Sequence, residues 1–133
     1  MAESGRGLSD QVLRFGLVGV AGFLVNAGLV AALAGPAGPV RAQAVAFPAA
    51  ASVTWWLNRR FTFGASGRAW HREWLRYLGA NALGWAANNG TYLALVLGSA
   101  WAAQHPVPAV AAGSLAGMAF NFVCSRRFVF HRG

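Results

Sequence analysis

The segment Arg59-Arg60-Phe61-Thr62-Phe63 occurs again, little changed, as Arg126-Arg127-Phe128-Val129-Phe130, and this duplication decides how the chain is organised. Further upstream, Leu13-Arg14-Phe15 returns as Leu75-Arg76-Tyr77. Segments that recur in the same order indicate that one structural unit is present twice. The offset is 62 residues for the upstream pair and 67 for the downstream pair, so the second unit contains five additional residues.

Each unit contains two apolar stretches separated by a short turn. About 20 residues of helix cross the hydrocarbon core of a membrane, and each stretch approaches that length. Hydrophobic residues make up 56% of the chain and charged residues only 11%, too few to cover a soluble domain. We therefore predict an all-α integral membrane protein with four transmembrane helices, forming a single domain over residues 1–133. The predicted spans are residues 15–34, 40–57, 76–97 and 107–124.

The arginines predict the orientation of these spans, because loops rich in arginine remain on the cytoplasmic side. Only Arg41 lies in a hairpin turn; the other ten arginines lie in the two termini and the central loop. Both termini are therefore predicted to be cytoplasmic, in a multi-pass protein of the cytoplasmic (inner) membrane. Since both hairpins then enter and leave on one side, they are parallel repeats related by an axis along the membrane normal. The ten arginines are Arg6, Arg14, Arg59, Arg60, Arg68, Arg72, Arg76, Arg126, Arg127 and Arg132.

The net charge of +8 does not indicate a nucleic-acid partner. The arginines lie at the ends of apolar stretches, where anionic lipid head groups supply the opposite charge. Membrane lipids are therefore the expected partners, and no nucleic acid is expected. The single cysteine, Cys124, leaves no possibility of an internal disulfide.

Polar residues inside the apolar spans are the first candidates for function. Asn26 and Asn88 correspond to each other in the two repeats, and Asn81, Asn88 and Tyr92 share one face of the third helix. One interpretation is structural, with amides forming hydrogen bonds between closely packed helices. The other is functional, with a polar path that replaces water around the hydroxyls of a sugar. Both remain open for the candidate sugar path of Asn26, Asn58, Asn81, Asn88, Tyr92 and Asn121.

The two arginine pairs are the second set of candidates: Arg59, Arg60, Arg126 and Arg127. They serve as topology anchors in one interpretation and as phosphate-binding residues in the other. Phe-x-Phe follows each pair, which holds the guanidinium groups at the depth of the lipid head groups. Guanidinium donors match phosphate oxygens in geometry and charge, so a lipid phosphate is the natural ligand.

Several chemistries have no residues to support them. The only acids are Glu3, Asp10 and Glu73, and none lies inside a predicted span, so coupling through a carboxylate within the membrane is not expected. The sequence contains no nucleotide-binding motif, no catalytic triad and no set of metal ligands. We expect a transporter-like protein rather than an enzyme, without cofactor or metal.

Three motifs together resemble the GtrA-like family: Arg14-Phe15-x-x-Val18-Gly19, the segment from Leu57 to Phe63, and the segment from Asn121 to Phe130. The resemblance covers residues 11–131. It implies a small four-helix membrane protein that flips a polyprenyl-phosphate-linked monosaccharide across the cytoplasmic membrane for cell-surface polysaccharide synthesis or glycosylation. A homodimer, or a complex with a membrane glycosyltransferase, is the expected assembly.

Two alternatives to a flippase are considered. A scaffold that recruits a glycosyltransferase without transport would carry the same asparagines and arginines. A small multidrug exporter also has four short spans, but its mechanism requires an acidic residue in the first span. The corresponding region of this sequence has Asn26 and no acid, which disfavours the exporter.

Overall fold

The chain is described by a computed structural model over residues 7–131, and these residues form helices joined by short connections. The predicted spans lie within the four long helices, although the third helix begins at Trp70 rather than near Arg76. Arg6, Arg132 and Glu3, which entered the predictions, lie outside the described residues. The helices are α1 (Leu8–Ala37), α2 (Pro39–Leu57), α3 (Trp70–Gly98), α4 (Ala100–Gln104) and α5 (Pro106–Cys124), with π-helical turns at Asn58–Thr62 and Ser125–Val129.

The long helices pack as two hairpins, α1 against α2 and α3 against α5. The first hairpin turns at Gly38, whose φ of 88° is a conformation that favours glycine. In the second hairpin, a Cβ added at Gly117 would lie 2.7 Å from the carbonyl oxygen of Gly84. In the first, a Cβ added at Gly22 would overlap the methyl group of Thr54. Both hairpins therefore depend on glycine to bring their two helices close together.

Both Arg-Arg-Phe-x-Phe segments adopt a π-helical turn, which the sequence did not predict. The amide of Phe63 donates to the carbonyl of Asn58, and the amide of Phe130 donates to that of Ser125, each at 2.9 Å. These hydrogen bonds link residues five apart, which widens the helix at the point where each hairpin ends. The wider turn directs the last phenylalanine of each motif towards the other hairpin.

The contacts around the two turns repeat, as expected for parallel units. Phe63 stacks on its counterpart Phe130, with 5.2 Å between ring centroids and 14° between ring planes. Phe15 meets Phe63 edge-on at 6.0 Å, and Tyr77 meets Phe130 edge-on at 5.9 Å. Because equivalent residues touch each other, the axis that relates the hairpins passes between Phe63 and Phe130.

An arginine links each π-helical turn to the first helix of the same hairpin. Arg14 donates to the carbonyl of Phe61 at 3.1 Å, and its counterpart Arg76 donates to that of Phe128 at 2.9 Å. Of the nine arginines in the described residues, only Arg41 lies at the opposite end of the bundle. We call the end that holds the other eight the arginine end.

The hairpins meet mainly at the arginine end, around a small buried core. Phe15, Phe63, Tyr77, Val129 and Phe130 are all less than 9% exposed there. Elsewhere the helices present large apolar side chains outwards, including Leu17 and Leu115. Within residues 7–131, the helices over residues 8–37 and 107–129 are long and apolar enough to cross a membrane, and only 11% and 17% of their most apolar windows are buried. Such low burial distinguishes them from the core helices of a soluble protein.

Candidate functional site

A cleft of about 670 Å³ lies between the two hairpins. It is lined by small and aromatic residues of α1 and α3, among them Gly19, Phe23 and Trp85, and by polar residues of all four long helices. The buried core lies at its arginine end, where Asn58 and Tyr77 form part of its wall. Five of the six residues predicted for the sugar path line this cleft: Asn26, Asn58, Asn81, Asn88 and Asn121.

Tyr92, the sixth residue predicted for the sugar path, is not among the residues that line the cleft. It lies one helical turn beyond Asn88. Its Cβ would be 3.4 Å from a Cβ added at Gly113, so it packs against α5 within the second hairpin. The helical periodicity was sufficient to group Asn81, Asn88 and Tyr92 on one face, but it could not indicate where the cleft ends along that face.

A chain of hydrogen bonds crosses from one hairpin to the other at the arginine end of the cleft. Thr62 donates to Asn58 Oδ1 at 2.8 Å, and Asn58 Nδ2 donates to the Tyr77 hydroxyl at 3.0 Å. The Tyr77 hydroxyl donates to Thr54 Oγ1 at 2.9 Å, and Thr54 donates to the carbonyl of Ala51 at 3.0 Å. Tyr77 therefore holds α3 against α2 and against the π-helical turn that follows it, through two buried hydrogen bonds.

Replacement of Tyr77 by phenylalanine copies the residue found at the equivalent position of the first repeat, Phe15. We expect the free energy of unfolding of this variant to be about 1–2 kcal/mol lower than that of wild type, because Asn58 and Thr54 each lose a buried partner. Tyr92→Phe is the matched control and should leave stability unchanged, since the Tyr92 hydroxyl has no partner within residues 7–131. Thermal unfolding in detergent compares the two variants; equal losses would contradict the role assigned to Tyr77.

The four arginines predicted to bind phosphate lie at the arginine end, outside the wall of the cleft. Arg59 Nε lies 2.9 Å from Glu73 Oε1, as an ion pair whose N–H is not aligned for a hydrogen bond. Arg60 stacks over Trp56 with 5.6 Å from its guanidinium carbon to the ring centroid. The structure thus brings these side chains to one end but not into one pocket.

The second arginine pair has a different environment. Arg126 Nε donates to Gln11 Oε1 at 2.9 Å, and Arg127 is exposed. Gln11 and Glu73 occupy equivalent positions in the two repeats, so the arginine that ends each hairpin contacts the first helix of the other hairpin. The partner of Arg59 carries a negative charge, whereas the partner of Arg126 is neutral.

Glu73 is the residue of greatest structural importance that the sequence analysis missed. Its side chain is fully buried, and its Oε2 accepts from the amide and the hydroxyl of Ser66 at 2.9 and 2.6 Å. Its Oε1 accepts from Trp55 Nε1 at 3.0 Å. A buried carboxylate is tolerated only with such partners. The sequence did contain a signal for this position: the offset of 62 residues aligns Glu73 with Gln11, so both repeats carry a polar side chain there.

Gln43 was also missed, although it is a polar residue inside a predicted span. Its side chain lines the cleft and exchanges hydrogen bonds with Asn26. In contrast to Asn26, it has no polar counterpart in the other repeat, where Val110 occupies the equivalent position. A comparison of the two repeats therefore does not single out Gln43.

The doubled hairpin, its apolar outer surface and its polar central cleft define a small helical membrane domain. The family model described as GtrA/DPMS, transmembrane domain, matches residues 14–131, and the chain belongs to this family. It is thus a membrane protein of a family linked to glycosylation, in agreement with the resemblance noted in its motifs. Searches of curated proteins and of solved structures returned no match.

Proposed function

We propose that the protein flips a polyprenyl-phosphate-linked monosaccharide from the cytoplasmic to the outer leaflet of the inner membrane. In this proposal it acts as a transporter and not as an enzyme, and it serves the synthesis or glycosylation of cell-surface polysaccharide. The observation that supports it best is the cleft, in which five asparagines from both hairpins line one space between the helices. Hydroxyl groups that leave water need donors and acceptors of this kind.

The proposal includes the topology. All four long helices cross the membrane, and the arginine end, with both termini, faces the cytoplasm. The predicted spans in α2 and α3, residues 40–57 and 76–97, contain more polar residues than those in α1 and α5, such as Gln43 in α2 and Asn81 and Asn88 in α3. In a spanning bundle these residues face the cleft, so a lower average hydropathy is compatible with insertion. Because four helices make a small enclosure, we also propose a homodimer or a complex with the glycosyltransferase that supplies the substrate.

Capture of the phosphate is assigned to the Arg126-Arg127 end of the bundle. Each of the two described acids has an arginine partner: Asp10 pairs with Arg14 at 2.9 Å, and Glu73 pairs with Arg59. Within residues 7–131, Arg60, Arg126 and Arg127 have no acidic partner, but the guanidinium of Arg60 stacks over Trp56. The charge of Arg126 and Arg127 is therefore the most available to an anion. Arg59, with Glu73 beside it, contributes less net charge and acts mainly in holding α2 to α3.

Gln11→Glu tests this assignment with almost no change in shape. The new carboxylate would face Arg126 as Glu73 faces Arg59, and it would neutralise the positive charge that attracts the phosphate. We expect flipping to slow by about five- to tenfold, which corresponds to about 1 kcal/mol for a partly exposed charge pair. The measurement is the outer-leaflet exposure of a labelled polyprenyl-phosphate sugar in liposomes that contain the protein.

Three comparisons complete this experiment. Empty liposomes give the background rate, and wild-type protein that does not exceed it would refute the flippase and favour the scaffold. The double variant Arg126→Gln, Arg127→Gln should be at least as slow as Gln11→Glu. Ser9→Glu adds the same charge two residues earlier, at an exposed position of α1, and should flip at nearly the wild-type rate. Equal rates for Gln11→Glu and wild type would remove Arg126 from the site.

A further inference from the structure

A layer of aromatic rings separates the arginine end from the cleft. Along α1 and along α3, three positions one helical turn apart hold, in order, a residue that contacts the arginine ending the other hairpin, a ring of the buried core, and a residue that lines the cleft. These positions are Gln11, Phe15 and Gly19 in α1 and Glu73, Tyr77 and Asn81 in α3. Each step of four residues rises by about 6 Å, so the arginine contacts and the cleft lie about 12 Å apart along the helices, with the rings between them.

The rings of this layer pack closely across the two hairpins. Phe63 stacks on Phe130 with 5.2 Å between centroids, and Phe122 meets Phe15 at 5.3 Å and Phe63 at 5.7 Å. Phe63 and Phe130 are only 7% and 4% exposed, and neither is among the residues that line the cleft. The cleft therefore ends at Phe15 and Tyr77, on the far side of the layer from the arginines.

The hairpins are joined at this layer and not along the cleft. Within residues 7–131, the side-chain hydrogen bonds and ion pairs between the hairpins occur at the arginine end, where Gln11, Glu73 and Tyr77 each contact the other hairpin. In the wall of the cleft, Asn26 bonds instead to Gln43 of its own hairpin. Separation of the hairpins at the arginine end therefore requires the breaking of polar contacts and of one aromatic layer, while each hairpin stays intact.

We infer that Phe63 and Phe130 form a gate between the arginine end and the cleft, and that the hairpins separate at these rings to admit the lipid-linked sugar. This inference rests on the proposed function and specifies its conformational step. In the structure the gate is closed, so a phosphate bound at Arg126 and a sugar in the cleft are successive stages of transport. Because the two rings are equivalent and lie on either side of the axis that relates the hairpins, a rigid rotation of one hairpin against the other separates them in a single movement.

Cysteine accessibility tests the closed gate without any substrate. Cys124, the single cysteine of the sequence, is replaced by alanine, and Gly19→Cys places a thiol in the cleft, where nothing lies within 4 Å of an added Cβ. The reagent is an impermeant methanethiosulfonate, added to membrane vesicles whose arginine end faces the medium. It should label Gly19→Cys about tenfold more slowly than Ser9→Cys, which is exposed at the arginine end and confirms the orientation of the vesicles.

Smaller side chains in the gate should open the path to the cleft. Phe63→Ala and Phe130→Ala should each speed the labelling of Gly19→Cys about tenfold, because a cavity replaces a buried ring. Phe63→Leu keeps an apolar side chain and most of the packing, so this variant retains the fold and should show an increase of about threefold. Gly28→Cys is the matched control, because it is exposed on α1 but does not line the cleft. Its labelling should be equally slow with and without the gate.

A reversible tether across the gate tests the movement. In the variant Phe63→Cys, Phe130→Cys, again without Cys124, a short bifunctional methanethiosulfonate joins the two positions beside the axis. Flipping of a labelled polyprenyl-phosphate sugar in liposomes should fall to the rate of empty liposomes on tethering and should recover when the tether is reduced. Phe130→Cys alone, given the same reagent, should flip at nearly the same rate before and after treatment.

Three results would overturn the inference. The first is equal labelling of Gly19→Cys and Ser9→Cys while both rings are intact, and the second is unchanged labelling of Gly19→Cys in all three gate variants. The third is undiminished flipping by the tethered protein. The failure of the flippase itself is distinguishable, because the untethered protein would then not exceed empty liposomes, whereas the labelling rates need no substrate and would still report the barrier.

Discussion

Glu73→Ala is expected to lower the free energy of unfolding by about 3 kcal/mol, a large share of the stability of so small a bundle. The carboxylate joins three parts of the chain: Trp55 and Arg59 near the end of the first hairpin, Ser66 in the connection, and α3 itself. Its removal leaves the partly buried indole N–H of Trp55 and the buried amide N–H of Ser66 without acceptors, and an unpaired buried donor is costly. Arg59, which is one-third exposed, can turn towards solvent and limits the loss.

The measurement is thermal unfolding in detergent, followed by circular dichroism. Asp10→Ala is the control, because it removes the other described acid and also breaks an ion pair with N–O at 2.9 Å. About 40% of each side chain of the Asp10–Arg14 pair is exposed, so we expect a loss of about 0.5 kcal/mol or less. Glu73→Gln should fall between the two, since it keeps the shape and part of the hydrogen bonding. Similar losses for Asp10→Ala and Glu73→Ala would contradict the structural role of Glu73.

Gly117→Ala is expected to destabilise the second hairpin by about 2 kcal/mol. An added Cβ would lie 2.7 Å from the carbonyl oxygen of Gly84 and 2.8 Å from Asn88 Cβ. The first neighbour is backbone and the second is fixed to backbone, so neither can rotate away. The helices α3 and α5 must separate, and the loss of close packing extends along their interface.

Gly79→Ala provides the control on the same helix pair. Nothing lies within 4 Å of a Cβ added at Gly79, so the substitution meets no neighbour. Because alanine favours a helix interior more than glycine does, this variant should be about 0.5–1 kcal/mol more stable than wild type. Opposite signs for Gly117→Ala and Gly79→Ala in the same unfolding assay are the expected result. A stabilising effect of Gly117→Ala would show that α3 and α5 do not approach so closely.

Several residues that line the cleft could be predicted, because helical periodicity and duplication act on short, regular segments. Asn26, Asn81 and Asn88, which a wheel of 100° per residue and the offset of 62 residues singled out, all line the cleft. Gln43 was not predicted as a candidate, because it has no polar equivalent in the second repeat and a comparison of the repeats does not single it out. The role of Tyr77 was not predicted, because its hydroxyl forms hydrogen bonds to the other hairpin. From the sequence, its ring was expected to act only as a core aromatic, like its counterpart Phe15.

The sequence by itself determined the secondary structure, the repeat and the distribution of charge. It indicated apolar helices, two similar hairpins, and arginines at the ends where the hairpins begin and end. These properties follow from composition and from spacing along the chain, which is all that helix formation and helix pairing within a hairpin require. The tertiary structure alone decided how the hairpins meet. Arg59 contacts Glu73 and Arg126 contacts Gln11, so equivalent arginines have partners of different charge. No spacing predicts this, because it depends on the rotation of one hairpin against the other, which the packing of Phe63 on Phe130 sets.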